Sequence, residues 1–256
     1  MRTRNAMGLI FCFAGLLCPA AEGATPADWP EPPARPNEPP FNLPPQATPQ
    51  NETPALLAQP ASPAPPAVAG EAGACLARLT AAGVTAEAAP APALPLPDCG
   101  VATPVSLSAI GLASGERIDL PGRPLLDCGF AETFAGFIRD LVAPLAAGAL
   151  GSPVAALDTG PGYDCRPRNH VAGAKTSAHG KGTAIDLMGV ILANQRRIAV
   201  ASQDDPRAAL FVRSLRTAAC GWFTTVLGPG SDAAHATHLH LDVLQHGASG
   251  AYRICE

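Results

Sequence analysis

Two short segments of the sequence carry side chains of the types that bind metal ions. In the first, His179 lies in a glycine-rich segment, and Asp186 follows seven residues later. Gly180 and Gly182 predict a sharp backbone turn around this histidine. Asp186 lies between apolar residues of a predicted strand, where a carboxylate is costly to bury unless it is paired or bound to a metal.

The second segment, residues 235–242, contains three histidines and one aspartate. From His238 onward polar and apolar residues alternate, so a strand places His238, His240 and Asp242 on one face and leucines on the other. Each histidine alone is more typical of a surface or core position than of a metal ligand. Four of the 6 histidines fall in these two segments, however, and that clustering favours a shared site.

We therefore predict that His179, Asp186 and one histidine of the His238–His240 run bind a single zinc ion (Zn2+). Two nitrogen ligands and one oxygen ligand with an open fourth position are typical of hydrolytic zinc sites rather than structural ones. Zinc in such a site polarises a carbonyl and lowers the pKa of a bound water molecule. Neither segment contains cysteine, which argues against a closed structural zinc finger.

The elements that must position these residues include two amphipathic helices. Apolar residues at helical spacing predict a first helix, which Pro144 bends or ends. A second helix is predicted from a cap at Asp204 or Asp205, with Pro206 in its first turn, to Gly221. The residues predicted to be buried by these helices are Phe130, Phe134, Phe137, Ile138, Leu141 and Leu145, and then Leu210, Phe211 and Leu215.

Short apolar runs elsewhere predict strands. Because helices and strands do not alternate regularly, we expect an α+β fold: a small central antiparallel sheet that carries the zinc site, flanked by helices and held by disulfides. The predicted strands cover residues 105–107, 118–120, 154–157, 183–190, 223–227 and 238–244, and residues 75–79 predict a short helix.

The chain contains 8 cysteines, of which the first two lie in the N-terminal apolar run. The remaining even number, in an exported chain, predicts disulfides, although sequence alone does not choose the pairing. A cysteine metal site is the alternative, but no C-x-x-C pair is present. The six cysteines are Cys75, Cys99, Cys128, Cys165, Cys220 and Cys255, and we expect the pairs Cys75–Cys99, Cys128–Cys165 and Cys220–Cys255.

The N-terminal residues predict export. Residues 1–23 resemble a signal peptide, with Arg2 and Arg4 before a short apolar run and cleavage after Gly23 or Ala20. An uncleaved anchor is the alternative. We expect a soluble periplasmic or secreted protein, with no later segment that is long and apolar enough to cross a bilayer.

The sequence after the signal divides into two parts. Residues 24–70 are crowded with proline and poor in large apolar residues, which predicts a disordered linker that acts as a tether. A docking motif for a partner is the other interpretation of this segment. Residues 71–256 predict one folded domain. The net charge of -4, without a basic patch interleaved with aromatic residues, disfavours nucleic acid as a partner, and we expect a monomer.

The metal-binding segments also carry a family resemblance. The Ser-x-His-x-x-Gly-x-Ala-x-Asp run at residues 177–186, with the later His-x-His, resembles zinc D-Ala-D-Ala carboxypeptidases and murein endopeptidases. More specifically, the chain after about residue 72 resembles the bacterial extensin-like C-terminal domain family, which is grouped with those peptidases. The supporting stretches are residues 162–166, 219–221, 227–232 and 252–255.

The resemblance implies a role for each matched residue. It makes His179, Asp186 and His240 the metal ligands, since the second histidine of His-x-His is the third ligand in the endopeptidase branch. His238 then acts as a general base or stabilises the transition state, and Arg166 binds a substrate carboxylate or an oxyanion. The alternative is that Arg166 is an ordinary surface arginine without a role in the site.

Four further residues are expected around this centre. Ser177 and Tyr163 are predicted to contact substrate, and Ser177 alternatively braces the loop. His235 is expected to assist, and Asp242 to orient His240 or His238 from behind.

One departure from the peptidase pattern affects the functional prediction. D-Ala-D-Ala peptidases use a glutamate three residues before their last zinc histidine, whereas Thr237 and His235 stand at the matching positions here. The first prediction is a zinc-dependent peptidase-like hydrolase that acts on peptide amide bonds of peptidoglycan. A non-catalytic, zinc-stabilised cell-wall-binding module is the second, and a purely structural disulfide domain is the third.

Overall fold

A computed structural model describes residues 66–201, 204–250 and 252–256, with side chains from residue 70 onward. The predicted signal peptide and nearly all of the predicted linker lie outside the described residues. The described part contains four α-helices, which are α1 Pro66–Ala81, α2 Cys128–Phe137, α3 Ala143–Leu150 and α4 Pro206–Ala219.

Ten strands form a single mixed sheet in the described part of the chain. The strands are β1 Val84–Ala88, β2 Pro104–Gly111, β3 Arg117–Asp119, β4 Leu125–Asp127, β5 Val154–Thr159, β6 Ala184–Leu192, β7 Arg197–Ala199, β8 Thr225–Leu227, β9 Leu239–Asp242 and β10 Ile254–Cys255. The main path runs β1-β2-β3-β5-β6-β9-β8-β10, with β4 paired to β2 and β7 paired to β6.

The prediction of a small antiparallel sheet is therefore wrong in size and in strand direction. β3 runs parallel to β5, and β10 runs parallel to β8, while the other pairs are antiparallel. The second pair depends on residues at the end of the chain returning beside β8, and such a long-range pairing leaves no local pattern in the sequence. The mixture of helices and strands is confirmed.

The long helical segment at Cys128–Leu150 forms much of the core. Asp127 caps α2, and Phe130, Phe134 and Phe137 are almost completely buried, as predicted. Pro144 does not end the helix, because a π-helical turn at Ile138–Val142 joins α2 to α3 and the proline falls in the first turn of α3. The rings of Phe130 and Phe137 pack against Phe223, which leads into β8.

The same segment corrects one expectation from the sequence. Cys128–Leu150, with a mean hydropathy of 1.3, is long and apolar enough to cross a membrane by length and composition alone. Its aromatic face instead lies inside the domain. Composition does not separate a core helix from a membrane span when the segment packs on both sheet and helices.

Helix α4 begins and ends close to the predicted positions. The side chain of Asp205 accepts a hydrogen bond from the backbone of Arg207 and caps the helix, with a proline in the first turn. Phe211 and Leu215 are buried, as predicted. Leu210 is 55% exposed, so its predicted burial is wrong. It lies one residue outside the apolar stripe that faces the core.

Three disulfides hold the domain, and two of the expected pairings are wrong. The observed pairs are Cys75–Cys128, Cys99–Cys165 and Cys220–Cys255. Cys75 reaches Cys128 because α1 packs beside the start of α2. Cys99 instead pairs with Cys165, and this disulfide lies beside the glycine-rich segment that contains His179.

Candidate metal centre

The pairing of β6 with β9 brings two of the predicted ligands face to face. Asp186 lies directly opposite His240 in this antiparallel pair. The apolar neighbours of Asp186 in β6, Ile185 and Leu187, are completely buried in the core. The alternation of the strands therefore anchors one face in the core and presents the carboxylate and the imidazole on the other.

His179 approaches the same point from a short 3-10 helix, Ala178–Lys181. Its Nδ1 donates to the carbonyl oxygen of Gly162 at 2.6 Å, which leaves Nε2 directed at the two strand residues. Gly162 has φ of +78°, and a Cβ atom there would lie 2.5 Å from the carbonyl oxygen of Leu125. Only glycine fits this position, so the loop that orients His179 depends on it.

Three donor atoms form a nearly equilateral triangle. His179 Nε2 lies 3.2 Å from Asp186 Oδ1 and 3.1 Å from His240 Nδ1, and those two atoms lie 3.1 Å apart. A tetrahedral zinc ion with ligands at about 2.0–2.1 Å requires ligand atoms separated by about 3.3 Å. The nitrogen and oxygen donors and their spacing fit zinc.

The second ring nitrogens of the two histidines are also held. His179 Nδ1 donates to a backbone carbonyl, and His240 Nε2 lies 3.0 Å from Asp242 Oδ2. Metal-binding histidines usually donate their other N–H to a carbonyl or a carboxylate, which fixes the tautomer and the ring orientation. Of the two histidines that Asp242 was expected to orient, it contacts His240.

These contacts shift the pKa values of Asp186 and His240. Burial opposes ionisation of Asp186, but hydrogen bonds from His179 and His240 outweigh it and hold the pKa of its carboxyl far below the usual range. Burial likewise opposes protonation of His240, yet its hydrogen bonds to Asp186 and Asp242 raise the pKa of its imidazole to about 9. Without a metal, the imidazole and the carboxylate thus form a charged pair.

A hydrogen-bonded chain continues from Asp242 to the protein surface. Thr225 lies opposite Asp242 in the β8–β9 pair. Burial opposes ionisation of Asp242, but the hydrogen bond from His240, helped by one from the Thr225 hydroxyl, lowers the pKa of its carboxyl. His246 Nε2 lies 2.7 Å from the same hydroxyl oxygen. Since the hydroxyl donates to the carboxylate, it accepts from His246, and the direction of each hydrogen bond back to His240 is defined.

The other two histidines of the second segment lie next to this centre. His238 Nε2 is 3.4 Å from Asp186 Oδ1. Burial, reinforced by His235 and the other histidines, lowers the pKa of His238 despite the attraction of Asp186. The ring of His235 packs against those of His238 and His240, and its Nδ1 lies 2.8 Å from Asp232 Oδ1.

A pocket opens beside the cluster. Arg166, Ser177, His235 and His240 all line it. The side chain of Arg166 is 18% exposed, and its Nε donates to Asp164 at 2.8 Å. The structure thus brings Arg166 and Ser177 into one pocket with His240, one of the three predicted ligands.

Tyr163 is placed differently. Its hydroxyl donates to the carbonyl of Ala93 at 2.6 Å and ties the loop before Arg166 to the segment before β2. It does not line the pocket beside the cluster. Its predicted contact with substrate stays a prediction.

Three contributors to the site were missed by the sequence reasoning. Thr225 follows Thr224 at the start of a short apolar run, and His246 follows Gln245, and neither belongs to a recognisable motif. Asp232 belongs to a turn before the histidines. The spacing of Asp232 three residues before His235 is typical of a capping residue, and it does cap the 3-10 helix Ala233–His235. That spacing is a signal that could have identified it.

The fold and the site together define a mixed α/β, disulfide-bonded domain with a candidate metal centre on one sheet face. Residues 73–256 match the model of the family described as the extensin-like protein C-terminus. The chain belongs to this family. No curated protein and no solved structure matches the chain.

Proposed function

We propose that this protein is a zinc-dependent hydrolase that cleaves peptide amide bonds in peptidoglycan. The observation that carries the proposal is the triangle of donor atoms from His179, Asp186 and His240, placed beside a pocket. Three protein ligands with an open position are the donor set of catalytic rather than structural zinc sites. A zinc ion held there would supply a Lewis acid and a bound water of lowered pKa.

The residues around the triangle suit the remaining tasks of amide hydrolysis. His238 has a lowered pKa, so its imidazole is neutral at pH 7 and able to accept a proton from an attacking water. Arg166 lines the pocket with a fixed positive charge, suited to a substrate carboxylate or to the oxyanion that forms during attack. His235 and its partner Asp232 support the ring of His238.

The substrate class rests on the resemblance to zinc D-Ala-D-Ala carboxypeptidases and murein endopeptidases. The Ser-x-His-x-x-Gly-x-Ala-x-Asp run and the His-x-His pair are the positions that supply the triangle. A periplasmic or secreted location, proposed from the N-terminal signal, would place the protein beside the wall. We propose that it works there as a monomer on peptidoglycan or its peptides.

The test is hydrolysis of purified muropeptides by the zinc-loaded protein, followed by mass spectrometry. We expect new fragments whose mass increases by one water across an amide bond, and loss of these fragments on chelation. His238→Ala should lower turnover about 100-fold or more while leaving zinc content intact. His170→Ala, at an exposed histidine outside the pocket, is the control and should retain activity.

Absence of fragments from wild type at full zinc loading would overturn the hydrolase proposal. So would equal turnover by wild type and His238→Ala.

A second candidate function is a non-catalytic, zinc-stabilised cell-wall-binding module. It is favoured by the absence of a glutamate three residues before His240, the last predicted zinc ligand, since Thr237 stands there. The carboxylate near the second segment, Asp232, is occupied with His235 and its own helix cap. This candidate expects wall binding that survives His238→Ala without any product, whereas the hydrolase expects products.

A further inference from the structure

The positive charge near the metal centre is concentrated in one stretch of chain. Between Cys165 and Ile185 the sequence contains Arg166, Arg168, Lys175 and Lys181 and no acidic residue. Lys175 and Lys181 are the only 2 lysines in the chain, and the net charge of the whole chain is -4. The local charge is therefore opposite in sign to that of the whole protein.

The fold collects three of these cations along one groove. Arg168 and Lys175 face each other across a tight loop, where the backbone N–H of Arg168 donates to the carbonyl of Lys175 at 2.9 Å. Lys181 ends the 3-10 helix that carries His179. All three line one groove, together with a single carboxylate from Asp98.

These cations are available to a ligand. Arg168, Lys175 and Lys181 are exposed, and none of them forms an ion pair with another residue in the part of the chain that the structure describes. Arg78 and Arg197, by contrast, each form an ion pair with a carboxylate. The groove keeps a net positive charge even with Asp98 in its wall.

The groove is continuous with the pocket beside the metal centre. Arg168, Ser177 and Leu244 line both. A chain whose amide lay at the metal centre would thus extend past Arg168 toward Lys175 and Lys181. Whatever part of the substrate follows the scissile bond in this direction meets positive charge.

We propose that this groove binds carboxylates of the peptide substrate, at a distance from the bond that is cleaved. The proposal rests on the proposed function for the identity of the bound chain. The groups that continue from an amide bond belong to a peptide, and the anionic groups of a peptide are carboxylates. The groove therefore selects acidic peptides, with Arg168 offering a paired contact and the lysines point charges.

The test measures binding of the purified full chain to isolated peptidoglycan sacculi by co-sedimentation. The variant K175Q/K181Q removes two groove charges, and R207Q/R213Q removes two exposed charges from α4 that line neither groove nor pocket. We expect the groove variant to bind about fivefold more weakly at low salt, and the control to bind as wild type does. The difference should shrink as salt screens exposed charges.

Two further arms identify the ligand. Sacculi whose carboxylates have been amidated should bind wild type as weakly as native sacculi bind K175Q/K181Q. Vesicles containing phosphatidylglycerol should bind wild type and K175Q/K181Q equally. Equal binding of both variants to native sacculi would overturn the proposal, as would preferential loss of vesicle binding in K175Q/K181Q.

A metal-site variant separates this proposal from the hydrolase proposal. His179→Ala should lose zinc and any cleavage but retain salt-sensitive binding to sacculi, because the groove cations remain. Cleavage by wild type with no effect of K175Q/K181Q would refute the groove alone. Charge-dependent binding without cleavage would refute the hydrolase alone.

Discussion

His240 Nε2 lies 3.0 Å from Asp242 Oδ2, and the two residues share one face of the same strand. This contact directs the other ring nitrogen, Nδ1, toward His179 and Asp186. The strand thus carries a candidate ligand and, two residues further on, the group that orients it.

The first prediction is that Asp242→Asn weakens zinc binding about 10- to 100-fold. The amide removes the negative charge that favours a proton on Nε2 and a free lone pair on Nδ1. Zinc affinity is measured by competition with a chelating dye. Asp119→Asn, at the end of β3 and ion-paired with Arg117, is the control and should bind zinc as wild type does. Identical affinities of the two variants would contradict the role of Asp242.

The second prediction concerns the hydroxyl of Thr225. Thr225→Val keeps the shape of the side chain but removes a hydrogen bond to Asp242 and one to His246. We expect a loss of stability of about 1–3 kcal/mol and a smaller loss of zinc affinity than in Asp242→Asn. Chemical denaturation and dye competition measure the two effects. Thr225→Ser, which keeps the hydroxyl, should recover most of both, and a serine variant as weak as the valine variant would contradict this.

The third prediction is a pH dependence that reverses on zinc loading. The pKa of His240 is raised from 6.5 to about 9, so the metal-free folded protein holds a proton that the unfolded chain releases. This stabilisation is complete below pH 6.5 and is lost as the pH rises through 9. Zinc needs the unprotonated Nδ1, so its affinity should increase over the same range and its binding should release protons.

Thermal denaturation with and without zinc at pH 6.5 and 9 tests this reversal. The melting temperature of the metal-free protein should fall, and the increase caused by zinc should become larger. Proton release is measured independently in weakly buffered solution at pH 8. A zinc-induced increase that shrinks as the pH rises would contradict the prediction.

The fourth prediction concerns the Cys99–Cys165 disulfide. Gly100 N–H donates to the carbonyl of Gly180 at 2.8 Å, and Asp164 N–H donates to the carbonyl of His179 at 3.2 Å, so both cysteines adjoin residues that hold the His179 loop. The variant C99A/C165A should lose stability by about 4 kcal/mol and should also bind zinc more weakly while still folded.

The disulfide Cys220–Cys255 provides the comparison. It joins the end of α4 to β10 and lies outside the pocket lining. C220A/C255A should also lower stability, measured by denaturant titration, but leave zinc affinity of the folded protein unchanged. Equal zinc affinities in the two disulfide variants would show that the loop bond has no role in the metal centre.

The convergence of His179 and Asp186 with the His238–His240 run could be predicted because its signals are local. The choice of His240 within that run came from the family resemblance. Alternation in β9 places His240 and Asp242 on one face, and the apolar neighbours of Asp186 define which face of β6 is buried. Zinc binding itself stays a prediction. Thr225 and His246 could not be predicted, since their roles depend on β8 lying next to β9.

The parts of the fold that could be predicted from the sequence are likewise those that depend on local interactions. Cap and proline signals placed α4 within two residues, because these interactions lie within one turn of the helix. The parallel pairs and the pairing of Cys75 with Cys128 depend on residues that are 29 or more positions apart along the chain. Hydrophobic periodicity carries no information about such neighbours.

The disulfides Cys75–Cys128 and Cys99–Cys165 interleave along the chain. If the protein is exported N-terminus first, as proposed, Cys75 and Cys99 reach the oxidising compartment before Cys128 does. Oxidation at that moment joins two cysteines that the folded domain keeps in separate bonds, and thiol–disulfide exchange must then correct the error. Under the proposed export, production of correctly folded protein therefore depends on a disulfide isomerase, or on oxidation delayed until the whole chain has emerged.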